Sequence, residues 1–433
     1  MGVVARAAAI VVLAALSASA AAATEVTKVT SPGGITAWLV SDDTVPLIAV
    51  DFAFRGGAAQ DPDGKSGLAV LTAELLGEGA GDLDANAFKA RLEETAVRLS
   101  FDAGRDDITG GMATLADRRE EAFRLLAMAV GAPRFDAEPF DRVRARLVSG
   151  VVARSTDPDV IAGRIFAEAT FPGHPYGRPV GGTADTLAAI TREDVAAFHR
   201  RVLARDALVI GVVGAISAEE LGPLLDVAFG ALPATAGLVP VADVTPRLGL
   251  ELAATVDEPQ TVLRLAGPGI ARQDPDYMAA FVMDHILGGG TFTSRLYREV
   301  RETRGLAYSV GTSLVTYDHA ALMVAATSTG PSSADEALAL LKSAFADMAE
   351  SGPTAEELAA AKRYLVGSYA LRFDTSSKIA AQLVGLQLEG MPIDYFDIRN
   401  GLIEAVTLDD VRRVARRLLS GPLTTVVVGP GAS

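Results

Sequence analysis

Gln60-Asp61-Pro62-Asp63 returns as Gln273-Asp274-Pro275-Asp276, and that recurrence decides the fold. Asp157, Gly173 and Pro175 return in order as Asp374, Gly390 and Pro392. Thr191, Asp194, Val195, Arg200 and Arg201 return as Thr407, Asp410, Val411, Arg416 and Arg417. The three offsets are 213, 217 and 216 residues. An offset that hardly drifts along the whole chain defines two homologous domains, the second a diverged copy of the first. The predicted boundaries are 24–233 and 258–433, joined by a linker over 234–257 that lacks periodicity and carries Gly237, Pro240 and Pro246.

The same elements are predicted within each copy. An apolar alternating strand (Leu47–Phe54; Thr261–Leu265) precedes a helix (Gly67–Leu76; Tyr277–Leu287). Asp117 with Glu120, Ser333 with Glu336 and Thr354 with Glu357 read as helix N-terminal caps. Leu338, Leu341, Phe345 and Met348 form one apolar face at helical spacing, a core stripe. Each copy closes on a helix and a β-branched strand, Leu208–Val213 and Thr424–Val428. Strands and helices mix without regular βα alternation, which predicts an α+β layered architecture.

The net charge of −15 over 433 residues excludes nucleic acid as a partner, because phosphate binding needs a basic footprint. The arginine-rich stretches Arg142–Arg154 and Arg412–Arg417 read as solvated helix faces. At the N-terminus Arg6 is the only charge before Glu25, Ala7–Leu16 is apolar, and Ala18-Ser19-Ala20 fits a cleavage site. Residues 1–23 are therefore read as an export signal cut after Ala20 or within Ala21–Ala23. A periplasmic or secreted protein without a permanent membrane anchor is expected. The chain has no cysteine, so it holds no disulfide and no cysteine-linked lipid.

The segment Gly288–Val310, GGGTFTSRLYREVRETRGLAYSV, carries the functional signal. Arg295–Arg301 fits a helix that buries Leu296 and Val300, Gly305 is a natural stop, and Leu306–Val310 reads as a strand. Arg301 from the last helical turn and Tyr308 from the strand are placed to reach one cleft. An arginine fork binds carbonyl or carboxylate groups, and a tyrosine hydroxyl can donate to a developing oxyanion. Spacing alone equally allows Arg301 to cap helix carbonyls and Tyr308 to fill the core. Gly288-Gly289-Gly290 is followed by no Gly-Lys-Ser/Thr, so it reads as a close approach to a neighbouring or substrate strand rather than a phosphate loop.

This frame, with Gly288–Gly290, Ser294-Arg295-Leu296 and Gly305-Leu306 around it, resembles the Arg–Tyr motif in the C-terminal half of insulinase/pitrilysin-like zinc peptidases. The resemblance covers essentially all of the mature chain. It implies a clam-shell of two domains, each an antiparallel sheet with packed helices, and assigns Arg301, Tyr308 and the three glycines to substrate. Members of that family carry His-x-x-Glu-His after a Gly-Leu-Ala in the N-terminal half. Here Gly67-Leu68-Ala69 is followed by Val70-Leu71-Thr72-Ala73-Glu74. Both histidine positions (Val70, Glu74) and the general-base position (Ala73) are replaced. A third ligand is expected from a helix before Asp157-Pro158, yet Asp141–Thr156 contains no glutamate. Glu78 does not complete a set, and no two of His174, His199, His285 and His319 share a helical face. No metal is expected in this chain, and without one it lacks a route to activate water. The resemblance thus implies the non-metal subunit of a heterodimer, inactive alone. Its partner would be a homologous subunit holding the zinc, and its substrate a peptide laid along a sheet edge. The rival expectation is a non-enzymatic scaffold, like the family's core subunits in respiratory complexes, or a peptide-binding protein.

Overall fold

A computed structural model describes residues 25–432, so the export-signal reading of 1–23 lies outside the described residues. Two sheets with helices packed on them make up the molecule. The first has six strands: β1 (Thr27–Thr30), β2 (Thr36–Ser41), β3 (Leu47–Arg55), β4 (Arg98–Ala103), β5 (Asp107–Leu115) and β6 (Leu208–Gly214). The second has five: β7 (Glu251–Thr255), β8 (Thr261–Pro268), β9 (Ala307–Thr316), β10 (Ala321–Thr329) and β11 (Thr424–Gly429). Their orders are β1-β2-β6-β3-β5-β4 and β7-β11-β8-β10-β9. Set aside β1 and the two orders coincide strand for strand, so the duplication read in the sequence is a duplication of topology.

One detail departs from a purely antiparallel sheet. β2 pairs with β6, and β7 with β11, in parallel. The reason is topological. β6 inserts between β2 and β3, both of which it must accommodate, and it runs antiparallel to β3 as β2 does. β7 also falls within 234–257: the stretch read as linker ends in a strand of the second sheet.

The helices that matter for the site are, in the first copy, α1 (Leu68–Leu75), α2 (Ala137–Ala153), α3 (Pro158–Thr170) and α4 (Arg192–Val202). In the second copy they are α5 (Tyr277–Asp284), α6 (Ala334–Ser351), α7 (Ala355–Gly367), α8 (Ser376–Leu388), α9 (Tyr395–Ala405) and α10 (Leu408–Leu419). The stripe on α6 is core, with Leu341, Phe345 and Met348 fully buried and Leu338 packed beside them. Thr354 caps α7 in a reciprocal box with Glu357, as its spacing predicts. The other two caps differ. Ser333 sits at the N-cap of α6 but makes no capping hydrogen bond, and Asp117 lies inside a short 3₁₀ turn before the helix Arg119–Gly131. In both places a 3₁₀ turn leads directly into the α-helix and turns the side chain away from the free N–H groups.

The recurring motifs touch each other. In the first copy Arg201 of α4 grips Gln60, bonding its side-chain and main-chain oxygens at 3.0 and 2.9 Å. In the second, Arg417 of α10 bonds Asp274 at 2.7 Å and Arg413 bonds Asp276 at 2.6 Å. The two QDPD loops and the closing helices were thus retained as partners, which explains why those segments stayed similar.

The halves are joined by exchanging helices. α3 of the first copy packs on β8 and β11 of the second sheet, and α8 of the second copy packs on β3 and β6 of the first. β3 and β8 are consequently buried on both faces, with patterns closer to continuous apolar runs than to alternation. β5, which lies between β3 and the edge strand β4, keeps an alternating pattern. At the tightest point Gly211 of β6 meets α8: a methyl there would come within 2.5 Å of the Ala380 carbonyl oxygen.

Candidate functional site

The positions of the zinc motif lie on α1, and an ion-paired seam has taken their place. Ala73 is 1% exposed. Val70 packs against the first core. Glu74 accepts from Arg146 of α2 at 2.7 Å, and Glu78, just beyond α1, accepts from Arg142 at 2.7 Å. Two Arg–Glu pairs thus bridge the helices that should share a metal. The methyl of Ala73 and the isopropyl group of Val70 are not ligands, and the carboxylates of Glu74 and Glu78 are each taken by a guanidinium that repels a cation. Among the described residues no cluster of three or more His, Cys, Asp or Glu stands within reach of one ion. These residues do not fit zinc.

The histidines are dispersed. His199 is buried and bonds the Val130 carbonyl, and burial lowers its pKa. His285 stacks on Tyr364, and His319 contacts Asp243 at 3.0 Å. His174 bonds the Ala242 carbonyl at 2.9 Å.

The Gly288–Val310 segment is built as its residues predict, with a wider helical pitch. α5 runs into a π-helical turn, His285–Gly289, and Tyr297–Thr303 is again π-helical. Gly288 is required by close approach: a Cβ would lie 2.6 Å from the Thr312 nitrogen of β9. Gly289 sits against the Asp284 carboxylate and Gly290 against the His285 carbonyl. The glycines therefore seat the loop on this chain's own backbone. Leu296 and Val300 are buried, as expected. Gly305, at φ +64, ends the helix, with Leu306 N–H donating to the Val300 carbonyl and Gly305 N–H to that of Arg301. The Gly305 bond is that of the αL cap, and the Leu306 bond reaches one residue further back than a Schellman bond, in keeping with the π-helical winding of Tyr297–Thr303. The chain then enters β9, the outer edge strand of the second sheet.

Tyr308 is 86% exposed on that edge and fills no core. Arg301 is exposed; its guanidinium lies 4.9 Å from the centre of the Tyr297 ring and bonds the Tyr297 hydroxyl, not the helix carbonyls. The other arginines of the frame are committed to carboxylates: Arg295 and Arg298 to Glu357, and Arg304 to Glu299 and Glu336. Arg301 has no carboxylate partner among the described residues. Both Arg301 and Tyr308 stand on an open face. Sequence reasoning missed Tyr297 and Phe292, whose rings meet edge to face at 5.1 Å beside Arg301. Tyr297 is four residues before Arg301 on the same helix, a spacing at which side chains meet, so its signal was available.

Asp284 underlies the glycine loop. It is 8% exposed, one carboxylate oxygen has no partner among the described residues, and burial pushes its pKa up to about 6.

Residues 189–365 match the family model described as the peptidase M16 inactive domain. An uncharacterized zinc protease of Streptomyces coelicolor is 30% identical over 79% of this chain and 71% of the relative. A protein of Helicobacter pylori described as the non-peptidase homolog YmxG is 26% identical over 85% of each chain. The solved M16 inactive domain from Pseudomonas fluorescens superposes with a TM-score of 0.88 at 28% identity, covering 94% of this chain and 98% of that one. The chain belongs to the M16, insulinase/pitrilysin-like, family of peptidases. Its match to the inactive-domain model and its lost zinc motif make it an inactive-type member.

Proposed function

We propose that this chain is the non-zinc subunit of a heterodimeric M16 peptidase. It supplies Arg301 and Tyr308 to a homologous partner that carries the intact His-x-x-Glu-His motif and the zinc. The substrate is a peptide, extended along the free edge of β9 and held there by main-chain hydrogen bonds. Arg301 binds a substrate carbonyl or carboxylate, and the Tyr308 hydroxyl donates to the oxygen on which charge develops. The observation that carries this reading is the pairing of an 86% exposed tyrosine on an edge strand with the frame's uncommitted arginine. An exposed tyrosine on an edge strand has no packing role, and the free edge of that strand is a template for another chain. The signal-like residues 1–23 support export to a periplasm-like compartment.

The test is assembly followed by activity. Mixed with a zinc-motif homologue from the same cell, the chain should co-elute on size exclusion as a stable complex that cleaves unfolded peptides, while neither chain does so alone. Failure to co-elute, with full peptidase activity in the homologue alone, contradicts the proposal and favours a scaffold.

A further inference from the structure

The exchanged helices each border a cavity, and the two cavities have diverged in chemistry. In the first copy, about 720 Å³ beside α3 is lined by Val152, Ser155 and Ile161. At the 217-residue offset set by Asp157 and Asp374, the second copy has Tyr369, Arg372 and Lys378, and these line a cavity of about 750 Å³ beside α8. Both volumes fall within the range of small-molecule sites, roughly 300–1,000 Å³. The first cavity also holds arginines, but Arg164, Arg178 and Arg264 pair with Glu168, Asp63 and Asp159 and Arg105 bonds the Tyr176 carbonyl, so the divergence lies at these three equivalent positions, where the second copy alone adds cations.

The cations in the second cavity are undercompensated. Arg272, Arg372, Lys378 and Arg399 line it, against the single carboxylate of Glu389. Arg272 takes that carboxylate at 2.7 Å and the Tyr395 hydroxyl at 2.8 Å. Lys378 is held at the rim by Asp374 at 2.8 Å. Arg372 and Arg399 have no carboxylate within ion-pair reach among the described residues. Arg399 is only 5% exposed. Its hydrogen bonds run through Nη1 alone, to the Leu365 carbonyl and to Asn400, both at 3.2 Å. Its guanidinium is stacked 3.9 Å from the centre of the Tyr369 ring. Burying a guanidinium without a counter-charge is costly, and a protein of net charge −15 has carboxylates to spare. Two neighbouring arginines left without a carboxylate, Arg372 and the buried Arg399, are the arrangement of an anion site.

We propose that this cavity binds a small, multiply charged oxyanion of the phosphate or pyrophosphate type, seated on Arg399, Arg372 and Lys378 between tyrosine rings. Guanidinium forks match phosphoryl oxygens in pairs, and more than one cation favours a polyvalent anion over a lone carboxylate. The site lies at the root of α8, the helix that joins the halves, so an occupant would also brace that joint. The proposal does not depend on the chain's completing a peptidase.

Titration calorimetry on the full mature chain at constant ionic strength tests it, with inorganic pyrophosphate and, separately, ATP as probes. One pyrophosphate per chain is expected, with melting temperature rising as ligand is added. Arg399→Met should weaken binding by about 10-fold or more, the usual cost of losing a charged hydrogen-bond partner. Arg372→Gln, at the exposed rim and without risk to the core, should weaken it several-fold. Arg264→Gln, in the first-copy cavity, should leave it unchanged. Tighter binding of ATP than of pyrophosphate supports the proposal with an organic phosphate as occupant; equal binding supports it with the free anion. No binding of either probe at millimolar concentration, or binding unaltered in both Arg372→Gln and Arg399→Met, overturns it.

Discussion

A methyl group added at Gly211 probes how the two halves are joined. Gly211 lies in β6, between Trp38 of β2 and Asp51 of β3, and faces α8 arriving from the other half. The new Cβ would stand 2.5 Å from the Ala380 carbonyl oxygen and 2.8 Å from the Leu383 Cβ. Neither atom is the far end of a flexible side chain, so the helix or the sheet must move. Overpacking a well-filled interior costs about 1–3 kcal/mol, and backbone contact puts this case near the top of that range. Unfolding entropy for a chain of this size is roughly 0.8 kcal/mol per degree, so Gly211→Ala should lower Tm by about 3–4 °C if the halves unfold together. Gly163→Ala, on α3 at the reciprocal crossing, is the control. Its added methyl meets only the tip of Arg264 at 3.3 Å, and alanine favours a helix over glycine. It should be neutral or stabilising. Differential scanning calorimetry on both variants decides the matter. A Gly211→Ala melt within about 1 °C of the wild type, or equal losses in the two variants, refutes the helix exchange described here.

Other expectations follow from the site. Asp284 has its pKa raised to about 6 by burial, so the folded state holds a proton that the unfolded state has released between pH 4 and 6. Stability therefore falls as pH rises through that window, and Asp284→Asn should remove this loss. The gain at pH 8 should be up to about 3 kcal/mol, vanishing near pH 4, as read by urea melts at the two pH values. Glu74→Gln should cost no more than about 1 kcal/mol, because the Glu74–Arg146 pair is half exposed. A larger loss would mean that the seam replacing the metal holds α1 to α2. Elemental analysis of the purified chain should find no stoichiometric zinc, and one tightly held zinc per chain would contradict the reading of Val70, Ala73 and Glu74.

The duplication was legible because its most persistent residues are contact partners: the QDPD loops and the arginines of α4 and α10 constrain each other in both halves. The helix stop at Gly305 was legible because a left-handed residue is a local demand. Less visible was everything set across distance. Parallel pairing of β2 with β6 follows from where β6 inserts, which no local pattern reports. β7 is short and half exposed, so its five residues read as linker. The π-helical winding of Tyr297–Thr303 leaves the apolar spacing of Leu296 and Val300 intact and is silent in the sequence. The absence of a zinc site could be read residue by residue, but the arginines of α2 that fill its place read only as a solvated face. Their partners, Glu74 and Glu78, lie more than sixty residues upstream.

Tyr308 and Arg301 are proposed to act on a substrate held by a partner's zinc. Steady-state turnover by the assembled complex, measured for Tyr308→Phe alongside its zinc content and melting temperature, tests this most directly. The account predicts intact assembly, zinc and Tm with turnover lowered on the order of 100-fold to 1,000-fold, the usual cost of one oxyanion donor. Full turnover in the Tyr308→Phe, Arg301→Ala double variant would contradict it.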